Sequence, residues 1–196
     1  MNFSKALSPE FDSPPFFNNL KGIFDSMGKT YNSVADKYGF SCNGCEDNCC
    51  RTRFYHHTLL EHLYMEVGFK TLSPEKQAAV IERAEEVVKR SGEADLKGET
   101  ARFMCPLNEE GRCILYEYRP MVCRLHGLEH ELVKPGHQPL RSSGCDLFTQ
   151  QTRNTVYIKF DRTPHYMELA NLEREIRQTS GYMIRIKHTI AEMLLL

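Results

Sequence analysis

Apolar residues recur along much of this chain at the three- and four-residue spacing of amphipathic helices. The longest stripe covers residues 13–39, where Ser13-Pro14 predicts a helix start and Gly39 predicts its end. Three further stripes predict helices at 58–67, 73–90 and 163–178. We therefore expect a mainly α fold: an irregular helical domain with short strands.

A few segments depart from this helical period. Val156–Phe160 alternates apolar and polar residues, which predicts a short strand, and Glu110-Gly111 predicts a turn. The polar stretch 91–100 predicts a linker. We expect a single domain over 1–196. Its parts are a flexible arm (1–12), an N-terminal helix (13–39), a cysteine-cluster region (40–147), and a C-terminal strand and helices (148–196).

Eight cysteines interrupt the helical pattern, and four of them fall close together in a C-x2-C-x3-C-C cluster. The cluster contains Cys42, Cys45, Cys49 and Cys50, and the others are Cys105, Cys113, Cys123 and Cys145. The C-x2-C spacing lets two thiolates reach one ion, as in structural zinc sites and iron–sulfur loops. Disulfides and unrelated buried thiols are the alternatives. Disulfides need an oxidising compartment, and residues 1–17 lack the pattern of a signal peptide, so we expect a cytoplasmic protein with a cysteine-ligated metal.

The adjacent pair Cys49-Cys50 leaves the number of centres open. Consecutive side chains usually diverge, so the two cysteines face separate four-cysteine sites, or one belongs to a multinuclear cluster, or one only packs nearby. Tetrathiolate zinc and an oxidised [4Fe–4S] cluster both carry excess negative charge, which N–H donors around the sulfurs stabilise. Arg51, Arg119 and Arg124 lie beside cysteines in the sequence and are predicted to supply such donors.

Charge and histidines narrow the function classes further. The net charge of −1 gives no reason to expect nucleic acid or an anionic membrane as a partner, and no apolar run is long enough for a membrane span.

His126 and His130 are four residues apart, and His56 and His57 follow the first cluster, so all four are candidate ligands. Cysteines are preferred because soft metals favour thiolates. No nucleophile–base pair or glycine-rich phosphate loop stands out.

Three segments resemble the YkgJ-type bacterial cysteine-cluster family, which is described as a zinc- or iron-chelating domain. They are CNGCEDNCCR (Cys42–Arg51), CPLNEEGRCILYEYRPMVCR (Cys105–Arg124) and the SGCD around Cys145. Members often have C-x2-C-x2-C-C, whereas here three residues separate the second and third cysteines, Cys45 and Cys49. The resemblance covers about residues 40–147 and implies that all eight cysteines serve a metal or iron–sulfur centre. The cysteine cluster also looks similar to that of flagellin lysine-N-methylases.

Three hypotheses about function remain. The first is a metal- or iron–sulfur-binding protein with a structural or redox role. The second is a cluster-dependent protein-modifying enzyme, and the third is a zinc-stapled module that binds a protein partner. The expected cofactor is one or two iron–sulfur clusters of the [4Fe–4S] type, or zinc. Iron–sulfur is slightly favoured, because widely spaced cysteines and the Cys105-Pro106 pair are typical of cluster loops.

Overall fold

A computed structural model describes residues 7, 11–42, 49–134 and 136–196. Most of the predicted arm at 1–12, and Cys45, lie outside the described residues. The described part is mainly helical, as predicted, with two small antiparallel sheets. None of its helices has the length and apolar character needed to cross a bilayer. The helices are α1 (Pro14–Tyr38), α2 (Leu59–Lys70), α3 (Pro74–Leu96), α4 (Met121–Leu125), α5 (Asp146–Gln151), α6 (Thr163–Ser180) and α7 (Ile190–Leu194), with 3₁₀ turns at Cys49–Arg51 and Tyr116–Tyr118.

Helix α1 confirms the longest predicted stripe. Ser13 occupies the N-cap position, but its hydroxyl makes no capping bond, and its carbonyl accepts the N–H of Phe17 (3.2 Å). Gly39 ends the helix with a left-handed φ of 63°, which glycine adopts without a steric cost. The apolar stripe becomes a buried face of Phe17, Leu20, Phe24, Met27, Val34 and Ala35.

Helices α2 and α3 are longer than predicted. Helix α2 continues through Gly68, where a Cβ atom would lie 2.3 Å from the Tyr118 ring, so this glycine serves close packing rather than helix termination. Helix α3 runs to Leu96, and the predicted linker at 91–100 is therefore mostly helical. The added turns carry Asp95, whose carboxylate accepts two hydrogen bonds from Arg53 (2.7 and 2.8 Å).

The sheets are short and local. Strands β1 (Asn108–Glu109) and β2 (Arg112–Cys113) form a hairpin around the predicted turn, and β3 (His130–Leu132) pairs with β4 (Leu140–Ser142). The strand predicted at 156–160 is wrong, because this segment joins no sheet and only Asp161 bridges to Glu131. The Tyr38 hydroxyl bonds the backbone of Ile158, as a neighbouring strand would do. It accepts the N–H of Ile158 (2.6 Å) and donates to the carbonyl of the same residue (3.3 Å).

Contacts between Cα atoms divide the chain into two compact units. The first unit includes Cys50–Pro120 and Ile176–Leu196, and the second contains Ser13–Cys49 and Met121–Glu175. The first unit has an apolar cluster built from α2, α3, the β1–β2 hairpin and α7. Its buried members are Met65, Val80, Ala84, Leu107, Leu115, Ala191, Met193 and Leu194. In the second unit the rings of Tyr38 and Phe40 both pack edge-on against Phe148.

Candidate metal centre

The cysteines are distributed over both units. Within the described residues, Cys42, Cys49, Cys123 and Cys145 belong to the second unit, and Cys50, Cys105 and Cys113 belong to the first. The boundary between the units falls between Cys49 and Cys50, so these consecutive residues enter different units. Cys45 lies outside the described residues.

The candidate centre of the second unit is built on Cys123–Leu128, named here the 123–128 turn, which runs from α4 into the following loop. Its backbone carbonyls accept hydrogen bonds from distant parts of the chain. Tyr31 on α1 donates its hydroxyl to the carbonyl of His126 (3.1 Å). The N–H of Cys145 donates to the carbonyl of Gly127 (2.8 Å). The turn thus holds α1 and the loop of the last cysteine together.

Two glycines make this close approach feasible. Gly127 has a φ of 117°, and a Cβ atom there would lie 2.8 Å from the Tyr31 hydroxyl. A Cβ atom on Gly144 would lie 2.4 Å from the Gly127 carbonyl oxygen and 2.3 Å from the Phe148 ring. The loop can therefore lie directly on the turn. At its end the sulfur of Cys145 accepts the N–H of Phe148 (3.4 Å), so the side chain caps α5.

The pKa of the Tyr31 hydroxyl is shifted by burial and by the groups around it. Burial raises the pKa of Tyr31 most, and Cys42, Cys145 and Cys49 raise it further, whereas Arg162 lowers it. Cysteines from two distant stretches of the chain, Cys42 with Cys49 and Cys145, therefore influence one hydroxyl group. Tyr31 was predicted only as part of the apolar stripe of α1, and its polar end is a site feature that the periodicity does not reveal.

Arg162 brings a positive charge into the second unit. Its side chain is buried, and its Nη2 donates to the carbonyls of Leu125 and Leu128 (3.3 Å for the latter). Burial lowers the pKa of Arg162 to about 10, an effect that Tyr166 and Tyr31 partly oppose, so the group stays charged at neutral pH. Among the described residues, its Nε has no hydrogen-bond partner and no carboxylate pairs with it. No sequence signal distinguishes this arginine from the others.

The arginines predicted to stabilise the sulfurs make other contacts that the structure describes. Arg51 is exposed. The guanidinium of Arg119 lies 3.4 Å from the ring centroid of Tyr116, and its Nε donates to the carbonyl of that residue (3.0 Å). The guanidinium of Arg124 lies 4.0 Å from the ring centroid of Phe24. Their role beside the sulfurs stays a prediction.

The cysteines of the first unit lie near its hairpin. The N–H of Cys105 donates to the carbonyl of Cys50 (2.9 Å), which ties the start of the unit to the segment before β1. Cys113 pairs with Asn108 across the hairpin, so the chain folds back toward Cys105. Cys105 and Cys113 are half-buried and pack against the apolar cluster of this unit.

Buried histidines form a separate group in the first unit. His56 is only 2% exposed, and neither ring nitrogen has a hydrogen-bond partner among the described residues. Its backbone pairs with that of His188, whose Nδ1 lies 3.1 Å from Nε2 of His62. His57 places its Nδ1 3.0 Å from the carbonyl of Ile186.

The other pair of candidate histidines does not share a helix face. Helix α4 ends at Leu125, before His126, and His130 lies in β3. The Nδ1 atom of His130 lies 3.2 Å from the carbonyl of Leu128. Burial, followed by the charge of Arg162, lowers the pKa of His130.

The donor chemistry fits a thiolate-bound metal, although the described side chains are not arranged around one point. No group of three Cys, His, Asp or Glu side chains in the described ranges is placed to hold one ion. Arg162, a buried cation, lies beside the 123–128 turn, and no carboxylate of the described residues pairs with it. In the second unit the residues that would hold a metal are Cys42, Cys49, Cys123 and Cys145, with Cys45 nearby in sequence.

No family model matches this chain, and no curated protein and no solved structure was found to be similar to it.

Proposed function

We propose that this protein binds a metal ion or an iron–sulfur cluster through its cysteines and that the centre has a structural or redox role. Its ligands come from the eight cysteines, and together with the apolar cores they form a cysteine-rich metal-binding core. We propose a cytoplasmic location, because a reducing compartment keeps cysteines available as metal ligands. The resemblance to the YkgJ-type family is part of this proposal.

One observation carries the proposal: the loop of Cys145 lies against the 123–128 turn that carries Cys123, beside the buried Arg162, which has no carboxylate partner among the described residues. Burying an arginine without an anionic partner is costly, because water no longer solvates the charge. A thiolate centre supplies negative charge in that region. Cys42, Cys49 and Cys145 all raise the pKa of Tyr31, whose hydroxyl contacts the 123–128 turn, which supports a location for these cysteines in the same part of the unit.

The experiment compares two cysteine variants with a control. We expect Cys49→Ser and Cys123→Ser each to lose bound metal and to lower the melting temperature, because ligand binding is coupled to folding. Met183→Ser is the control, since it also replaces a sulfur-containing side chain, and that side chain is 67% exposed. Metal and acid-labile sulfide are measured on anaerobically purified protein, together with the ultraviolet–visible spectrum.

The spectrum and the analysis also identify the centre. Brown absorbance with iron and sulfide in matching amounts means an iron–sulfur cluster and leads next to its reduction potential. A colourless protein with stoichiometric zinc means a structural site and leads next to protein partners. Unchanged metal content and melting temperature in both cysteine variants would refute the proposal.

A further inference from the structure

We propose that residues 182–188, named here the 182–188 segment, form a docking edge for an extended acidic peptide of a partner protein. The segment belongs to the first unit and connects α6 to α7. No turn or bend interrupts it before its last residue, which forms a backbone bridge. Binding at this edge goes beyond the proposed function and requires no metal.

One edge of the 182–188 segment is bonded to the rest of the first unit at every second residue. Nη1 of Arg177 donates to two of its carbonyls (3.3 and 2.9 Å), and Nδ1 of His57 lies 3.0 Å from a third. The backbone of His56 exchanges two hydrogen bonds with the last residue (2.7 and 3.1 Å). In an extended strand the hydrogen-bonding groups of successive residues point to opposite edges, so this spacing is that of a strand held along one edge. The bonded residues are Tyr182, Ile184, Ile186 and His188.

The residues between them leave the opposite edge open. In the part of the chain that the structure describes, neither the N–H groups nor the carbonyls of Met183, Arg185 and Lys187 have a hydrogen-bond partner. All three side chains are exposed. A row of open N–H and carbonyl groups is a template for a further strand, and extended peptides bind proteins by adding to such an edge.

The side chains along the open edge determine the chemistry of the occupant. Arg185 forms no ion pair with another described residue, and the ammonium group of Lys187 lies 4.6 Å from the ring centroid of Tyr55. The two cations are two residues apart and therefore share one face of the strand with Met183, which is 67% exposed. A peptide with two acidic residues at alternate positions and an apolar residue beyond them matches this face.

A second copy of this chain is the competing occupant. The antiparallel self-pairing that uses the whole open edge matches Met183 with Lys187, and it places Arg185 opposite the same arginine of the second copy. Like charges directly opposite each other destabilise a pair of strands, whereas acidic side chains in a peptide neutralise them. The charge of the edge therefore favours a peptide over self-association.

The test measures the binding of synthetic peptides to the full-length chain by fluorescence polarisation. The probe is a short fluorescein-labelled peptide in which threonines alternate with one leucine and two glutamates. One matched peptide has lysines in place of the glutamates. Another is methylated on the backbone nitrogens of the leucine and the glutamates, which would face the open edge. The last is methylated on the threonine nitrogens, which would face away.

We expect the glutamate peptide to bind at least about tenfold more tightly than the lysine peptide, because both cationic contacts change from attraction to repulsion. Methylation of the nitrogens that face the edge should abolish measurable binding, since it removes the donors of the new strand. Methylation of the threonine nitrogens should leave the affinity within about threefold of that of the unmodified peptide. This pair separates backbone pairing from attraction between charges alone.

Variants of the chain test the same contact from the other side. Arg185→Glu should weaken binding of the glutamate peptide about tenfold. Lys89→Glu is the matched control, because this exposed lysine lies on α3 of the same unit, and its effect should stay within about twofold. In the complex, the exchange of the Met183, Arg185 and Lys187 amide hydrogens, followed by NMR, should slow. Circular dichroism establishes that each variant is folded, and the peptide series decides if Arg185→Glu is not.

Three results overturn the proposal. The first is a glutamate peptide that does not bind at a concentration of about 1 mM. The second is unchanged affinity after methylation of the nitrogens that face the edge. The third is a dimer, detected by light scattering, in which the amides of the open edge are already protected from exchange. All three leave the proposed function standing, because metal content is measured on separate samples.

Discussion

Acidification should destabilise this protein well above the pH at which carboxylates titrate, because two histidines are buried as neutral imidazoles. Burial, aided by His57, lowers the pKa of His56 to about 4. Burial also lowers the pKa of His62 to about 3, and the charges of His188, His56 and Arg177 add to this effect, whereas the Thr58 carbonyl opposes it. In the unfolded chain both groups titrate near a pH of about 6.5.

The direction in which the free energy of unfolding changes with pH follows from proton binding. Below a pH of about 6.5 the unfolded chain binds protons at these histidines, whereas the folded chain does not until the pH approaches 4. The free energy of unfolding is therefore constant above this window and falls as the pH is lowered through it. With the slope of about 1.4 kcal/mol per pH unit for each group, the loss between pH 7.5 and 5 is about 2 kcal/mol for each histidine, or about 4 kcal/mol for both.

Urea unfolding, followed by circular dichroism, measures this loss in the wild type and in His56→Gln and His62→Gln. Each variant should lose only about 2 kcal/mol between the two pH values, because one titrating group is gone. Each protein is compared with itself, so a constant cost of the substitution cancels. All samples carry the same metal loading, since thiolate ligation also depends on pH. The control is His137→Gln at an exposed position, which should show the wild-type loss.

Two outcomes would refute this reasoning. A wild-type loss below about 1 kcal/mol between pH 7.5 and 5 would mean that the buried imidazoles do not set the acid limit. A full wild-type loss in both glutamine variants would mean that other groups set it.

The remaining predictions concern packing and buried hydrogen bonds. Gly68→Ala should lower the free energy of unfolding by roughly 2 kcal/mol, because its Cβ atom would lie 2.3 Å from the Tyr118 ring. The control Gly28→Ala should raise it by about 0.5–1 kcal/mol, since nothing lies within 4 Å of that Cβ position in α1. Denaturant unfolding checks both, and equal effects would contradict the packing argument. Tyr38→Phe should cost about 1–2 kcal/mol, because Ile158 loses the hydroxyl that bonds its N–H and carbonyl; an unchanged unfolding midpoint would show that water replaces it.

The helices could be predicted because their signals are local. The proline after Ser73 and the bond from Lys76 N–H to the Ser73 hydroxyl start α3 within one turn of sequence. The errors occurred where a distant contact overrode the local signal. The helix predicted at 58–67 stops just before Gly68, yet the observed helix continues through this residue, and the Tyr118 ring requires a glycine there. A strand was predicted before Asp161, but Tyr38 satisfies that backbone from another part of the chain.

In the candidate site, too, some features follow from the local sequence and others depend on distant contacts. Cysteine spacing identifies the thiols, and their chemistry as soft-metal ligands is intrinsic to the residue type. The role of Gly144 depends on the approach of the Gly127 carbonyl, which lies 17 positions earlier in the numbering and 2.4 Å from where its Cβ would be. Spacing alone could not show that contact.

By itself, the sequence determined the helical class, most helix starts and the set of cysteines available to a metal, because these depend on residue type and short-range periodicity. Only the tertiary structure decided that Cys49 and Cys50 enter different units and that Tyr31 and Arg162 meet at the 123–128 turn. The physical reason is burial. The side chains of Arg162 and Tyr31 are held against backbone carbonyls and depend on their neighbours' charges only because residues far apart in sequence exclude water around them.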